Sequence, residues 1–213
     1  LTLENCTLTT CGANMCKGIV LDKKGERNPP EIILRNCYME NSQFALYLTR
    51  EAIYTFENCT FHNNYIDAKF ENYLRGISNG MQSDGQYSIS GCTFTSDNAL
   101  LMPPYDNEYK LAAFDLKNVE RVRIGVTGAA PNIIENSTFG IKMENSGAEV
   151  WKNEFDEINN NIYSTFWADG SAILLMNDNN LLDRSLQVGL EGVNPSNTFT
   201  KAEFGIIGFG ECN

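Results

Sequence analysis

The 213-residue chain has a single histidine, His62, and only 16 lysines and arginines against 27 aspartates and glutamates, a formal charge of −11. Basic residues this sparse and scattered argue against nucleic acid or anionic lipid as partner, because those surfaces are bound through clustered Lys and Arg. No run of about eighteen apolar residues occurs, so nothing reads as a membrane span. The first residues lack the basic-then-apolar pattern of a signal peptide, and any export signal is expected to have been removed or to lie outside this sequence. A zinc signature is missing as well: neither His62 nor the spacing of Cys11 and Cys16 matches a paired C-x-x-C pattern. Helical periodicity is absent throughout.

What is present is repetition. "LENCTL" at 3–8 returns as "LRNCYM" at 34–39, "FENCTF" at 56–61, "ISGCTF" at 89–94 and "IENSTF" at 134–139. With Phe56 facing inward, period-two alternation turns Glu57 outward, puts Asn58 at a bend, and sends Cys59 and Phe61 inward. The motif is thus two short strands hinged at Asn, a residue that tolerates the left-handed conformation, with Gly91 serving the same purpose in "ISGCTF". Lines such as "GIVLD" (18–22), "ALYLT" (45–49), "DAKFE" (67–71) and "GIKME" (140–144) supply a third strand family. Taking Ile19, Leu46, Ala68, Leu100, Ile141, Ile162 and Ile206 as its inward positions gives steps of about 22 residues or twice that, with "FDLKN" (114–118) and "SLQVGL" (185–190) as degenerate coils.

A period of about 22 without helices leaves leucine-rich repeats and parallel β-helices. The dense Leu-x-x-Leu-x-Leu line of the former is lacking. Through "NCTF", "NSTF" and "FGIKMENS" the sequence resembles the right-handed parallel β-helix, or pectin-lyase-like, repeat proteins. The resemblance implies an all-β solenoid of about eight coils with loop insertions, about 4.8 Å per coil and so about 40 Å long. Asn5, Asn36, Asn58 and Asn136 are then expected to form a ladder of occupied side-chain amides at one corner. Behind it should run a column of small inward residues, Cys6, Cys37, Cys59, Cys92 and Ser137, and a column of large ones, Leu8, Met39, Phe61, Phe94 and Phe139. The seven cysteines cannot all pair within one chain; the column is read as buried thiols, while Cys11 and Cys16 stand close enough to pair locally. No capping segment appears at either end, so residues 1–213 are expected to be one parallel β-helix segment of a longer polypeptide, with flanking segments of the same chain extending or capping it.

Insertions at 22–31, 72–87, 101–110, 119–132 and 177–197 point to one functional face. Outward positions of the third strand family include Tyr47, Lys69, Lys142 and Tyr163 in one column, and Asp22, Thr49, Glu71 and Glu144 in the next. Tyr73, Tyr105, Tyr109 and Trp167 are candidates for stacking on sugar rings, and Arg75 is a basic loop residue beside them. Pectin-cleaving hydrolases of the resembled fold carry paired Asp, G-H-G and R-x-K, none of which occurs here. Lyases of that fold need an acidic calcium cluster and a basic residue; Asp84, Asp106, Glu108, Asp169 and Asp178 lie in loops near Arg75, Lys110, Arg121 or Arg123 without forming a lyase motif. "MNDNN" (176–180) is the one calcium candidate, and no other cofactor is implied. The expectation is therefore a non-catalytic, secreted or cell-surface stalk, adhesin or carbohydrate-contacting module, whose partners are polysaccharide or cell-surface components. The alternative is a polysaccharide lyase or glycoside hydrolase.

Overall fold

A computed structural model describes residues 1–10, 12–22, 30–49, 52–72, 87–97, 99, 101–106, 108–119, 121–158, 168–177, 186–189 and 197–210. Among these there is no helix; the regular structure is entirely strand, and every strand pair is parallel. Sheet I holds Thr2–Glu4, Glu31–Arg35, Ile53–Glu57 and Tyr87–Ser90. Sheet II holds Thr7–Leu8, Tyr38–Glu40, Thr60–His62, Thr93–Thr95, Asn132–Ser137, Asn153–Ile158 and Thr198–Thr200. Sheet III holds Ile19–Leu21, Phe44–Leu48, Ile66–Glu71, Ala112–Lys117, Phe139–Glu144, Ser171–Asn177 and Phe204–Gly210. A three-stranded sheet IV, Val122–Ile124, Ala148–Val150 and Leu186–Val188, continues the face begun by sheet I, joined to it where Gly125 N donates to Ile89 O at 3.0 Å. The chain visits these faces in rotation, so each new strand lies on the one from the previous round. All-parallel sheets stacked in this order are compatible with a parallel β-solenoid.

Parallel sheets need residues that are apolar on the covered face, and the inward columns supply them. Leu34, Phe56 and Ile89 line sheet I, while Met39, Phe61, Phe94, Ile134 and Phe155 line sheet II; all are essentially without solvent contact. Sheet III contributes Leu46, Ala68, Phe114, Ile141 and Ile173 in register.

The corners explain the repeated asparagines. Asn5, Asn36 and Asn58 have φ of 55°, 50° and 53°, with Gly91 at 62° above them. A second corner carries Asn41, Asn63 and Asn136, and a third Asn72, Asn118 and Asn145, all with positive φ. Asn136 therefore does not belong with Asn5, Asn36 and Asn58, as the motif suggested. Each corner asks for the same left-handed residue, so the letters around it look alike wherever it falls. The first ladder is also exposed rather than buried, although Asn36 Nδ2 still donates to Asn5 Oδ1 at 3.3 Å.

The same shift displaces two further expectations. Ser137 pairs with Ile158 and does not continue the cysteine column; Phe139 opens a strand of sheet III and joins an outer apolar cluster with Ala112, Ala168 and Leu174. Above Cys92 the column continues instead through Asn132, Asn153 and Asn197, an amide ladder that is buried at Asn132 and Asn153 and half-buried at Asn197. Here Asn132 Nδ2 donates to Asn153 Oδ1 at 2.9 Å, and Asn153 Nδ2 donates to Asn197 Oδ1 at 3.1 Å. "FDLKN" is a regular strand whose Phe114 fills the inward column, and Leu186–Val188 within "SLQVGL" is a strand of sheet IV. Ile173 holds the remaining inward place; Leu100 and Ile162 lie outside the described residues.

Candidate functional site

The outward residues of sheet III form two adjacent rows. In register, one row runs Val20, Tyr47, Lys69, Asp115, Lys142, Leu174 and Ile207. The next runs through Glu71, Lys117, Glu144, Met176 and Phe209. Strand alternation turns both rows to the same side, and parallel pairing brings like positions to roughly 4.8 Å. Apart from Val20, the face is aromatic and ionic toward its first end and apolar at the other, where Leu174, Ile207, Met176 and Phe209 stand.

Aromatic and charged groups interlock at the first end. The Lys69 ammonium stands 5.2 Å from the Phe44 ring centroid and 5.1 Å from that of Tyr47, and 3.8 Å from Glu71 Oε1. Tyr47 Oη donates to Glu71 Oε2, and Lys117 Nζ to Glu144 Oε1 at 3.0 Å. Burial, the hydrogen bond to Glu71 and the carboxylates around it push the Tyr47 phenol up to about 12. Asp115 sits half-buried between Lys69 and Lys142. Its carboxyl is raised, chiefly by burial, with the two lysines opposing and Glu144 and Glu71 adding to the shift. Beside the face, Tyr65 and Tyr105 stack with centroids 3.7 Å apart and planes 8° apart. Tyr105 belongs to a turn closed by Tyr105 N donating to Met102 O and Glu108 N to Tyr105 O. Burial and Glu108 raise both phenols.

Among the residues selected from sequence, the structure brings Tyr47, Lys69 and Lys142 onto one row and stacks Tyr105 against Tyr65. Tyr109 is half-buried in the loop leading to Ala112–Lys117. Tyr73, Arg75, Tyr163 and Trp167 lie outside the described residues, as do Asp84, Asp178, Cys11 and Cys212. Asp115 and Lys117 are not among the sequence candidates, since "FDLKN" reads as a degenerate coil; the match of "AAFDLKN" to "IDAKFEN" and "FGIKMEN" is the signal that finds them.

Of the four basic residues near the acidic loops, Arg75 lies outside the described residues and the other three are engaged elsewhere. Arg121 pairs with Glu149, and Arg123 Nε donates to Glu149 Oε2 at 2.9 Å while its guanidinium lies 4.9 Å from the Trp151 ring centroid. Lys110 is buried in an ion pair with Asp67. His62 bridges Asp97 at 2.9 Å and Glu40 at 3.7 Å on the outside of sheet II. No group of three or more His, Cys, Asp or Glu suited to a metal occurs among the described residues, and "MNDNN" falls mostly outside them. Nor is any described helix long and apolar enough to cross a membrane.

Together these features define an all-β protein of stacked parallel sheets with a mixed aromatic and ionic outer face. No family model, curated protein or solved structure matches the chain.

Proposed function

We propose that this chain is a right-handed parallel β-helix of pectin-lyase-like type, carried on or released from the cell surface, whose sheet III face contacts a polysaccharide. Seven strands in each of sheets II and III support seven successive coils. The observation that carries the functional reading is the aromatic and cationic group Phe44, Tyr47 and Lys69 on a parallel sheet with Lys142 further along the row. Aromatic rings stack on pyranose C–H surfaces, and in-register rows repeat their contacts at a spacing that suits a linear polymer. Glycan-array binding followed by titration calorimetry tests it: Tyr47→Ala and Lys69→Ala should each weaken binding about tenfold, the scale of a lost cation–π or stacking contact near 1.4 kcal/mol. Equal binding by all three proteins sinks the reading.

A second reading, a glycan-cleaving enzyme, rests on Asp115. Its raised carboxyl between two lysines, with Glu71 and Glu144 diagonal to it, offers a general acid beside further carboxylates. New reducing ends or unsaturated products, lost in Asp115→Asn, would favour this reading over simple binding.

A further inference from the structure

Sheet III opens with two successive inward positions per strand, and the first is a small-residue column. Between the registered pairs around it stand Ala45, Asp67, Ala113, Gly140 and Ala172. The space is tight: a Cβ on Gly140 would meet Ala172 O at 2.5 Å and the Phe155 ring at 2.7 Å. Asp67 is the exception in this column, and its side chain has no solvent contact. Lys110, two residues before Ala112–Lys117, reaches the same place with an equally inaccessible side chain, its Nζ 2.5 Å from Asp67 Oδ2. Its backbone is clamped on the far side, where Thr138 N and Oγ1 both donate to Lys110 O.

We propose that Lys110 and Asp67 join in an intramolecular isopeptide bond, a covalent tie between the Ile66–Glu71 strand of sheet III and the segment leading into its neighbour Ala112–Lys117. A proton passes from the Lys110 ammonium to the Asp67 carboxylate. The neutral amine then attacks Asp67 Cγ, the Nζ–Cγ bond forms, the Cγ–Oδ2 bond breaks, and one water leaves carrying Oδ2. No oxidant or cofactor is required. This inference is independent of the glycan reading, since it concerns the interior.

The hydrogen bonds around the pair fit the amide better than the ions. Among the described residues, Lys110 Nζ has two partners for three N–H groups, Asp67 Oδ2 and Thr95 O at 3.1 Å. Asn64 Nδ2 donates to Asp67 Oδ1 at 3.0 Å, while Oδ2 accepts no well-aligned hydrogen bond. An amide at this position has one N–H and one carbonyl oxygen. Thr95 O accepts from the first, Asn64 donates to the second, and Oδ2, whose one described polar neighbour is Nζ itself, is the atom expelled. The Asn64 bond also polarises the carbonyl toward attack. Burying an ion pair in a dry interior is costly, and burial here raises the carboxyl and lowers the ammonium, the direction that yields the neutral reactants.

Mass spectrometry of the folded, then denatured, protein decides the matter. The expected result is a chain lighter than its sequence by one water, with trypsin failing to cleave after Lys110 and one branched peptide containing both residues. Asp67→Ala and Lys110→Arg should each restore the full mass. This readout does not depend on whether those variants fold. A wild-type chain of full mass that releases a free peptide beginning at Leu111 overturns the proposal. So does a water loss that is retained in Asp67→Ala, or one carried by unbranched Asp67 peptides, since a cyclised aspartate would then be its source.

Discussion

Phe61 lies flat against Phe94, ring centroids 4.9 Å apart and planes within 10°. The two rings come from strands 60–62 and 93–95, whose Cα atoms pair in register, and neither is exposed. Phe94 also packs on Phe114 at 4.7 Å, tying sheet II to sheet III. Replacing Phe94 by Ala is expected to destabilise the protein by about 3–5 kcal/mol, through lost burial and the cavity left in two stacks. The shift in urea midpoint measures it, and a loss below ~1 kcal/mol contradicts the packing.

The corner asparagines are held by backbone conformation more than by their amides. Asn58 is exposed with φ of 53°. Asn58→Ala should therefore cost about 1–2 kcal/mol, because Ala lacks the short polar side chain through which Asn tolerates the left-handed region, while Asn58→Gly should be much closer to neutral. If Gly proves as harmful as Ala in urea unfolding, the amide and not the backbone is what matters.

Inside, the opposite ordering is expected. Asn132 Oδ1 accepts from Cys92 N at 3.0 Å, and its Nδ2 donates to Ile89 O and Asn153 Oδ1. Asn132→Ala strips partners from buried backbone groups and should cost about 1–3 kcal/mol per orphaned group. Asn132→Gly should bring no rescue, which separates this ladder from the corner one in the same assay.

The thiols of Cys37, Cys59 and Cys92 are buried and unpaired. Burial raises the Cys37 and Cys92 thiols, and the contact between Cys59 and Cys92 holds the former down and the latter up. Shielding dominates reactivity here, so a thiol reagent should label these positions only after denaturation. Prompt labelling of Cys37 in the native protein would show that the column is open.

Alkaline pH probes the outer face. The Tyr47 phenol titrates at about 12 when folded against a reference of 10.0, so the folded state holds its proton more tightly. The stability this contributes is complete below pH 10 and is lost as pH rises toward about 12. In Tyr47→Phe, ultraviolet absorbance should lose a late-titrating tyrosinate. Loss of a phenol that titrates near its ordinary 10.0 instead would mean that Tyr47 is not engaged with Glu71.

Much of this architecture is legible in the sequence because it rests on local rules. Alternation marks the strands, and Asn or Gly at a left-handed corner marks their ends. From these follow the all-β class and the in-register columns of Cys37, Cys59 and Cys92 or of Phe61 and Phe94. Tyr47, Lys69 and Lys142 share a row for the same reason, since a repeat that stacks brings equal positions together.

Tertiary structure alone decided which corner each repeat occupies. "IENSTF" satisfies the same backbone demand as "FENCTF" but turns from sheet II to sheet III, sending Phe139 outside and leaving the inner column to Ile134. It also decided where charge goes. Asp67 looks like a turn residue and Lys110 like a loop cation, yet register and chain path carry both into a column of Ala and Gly. No local rule announces that meeting, because the partners are 43 positions apart in sequence, 110 less 67, and become neighbours only when one strand is laid on the next.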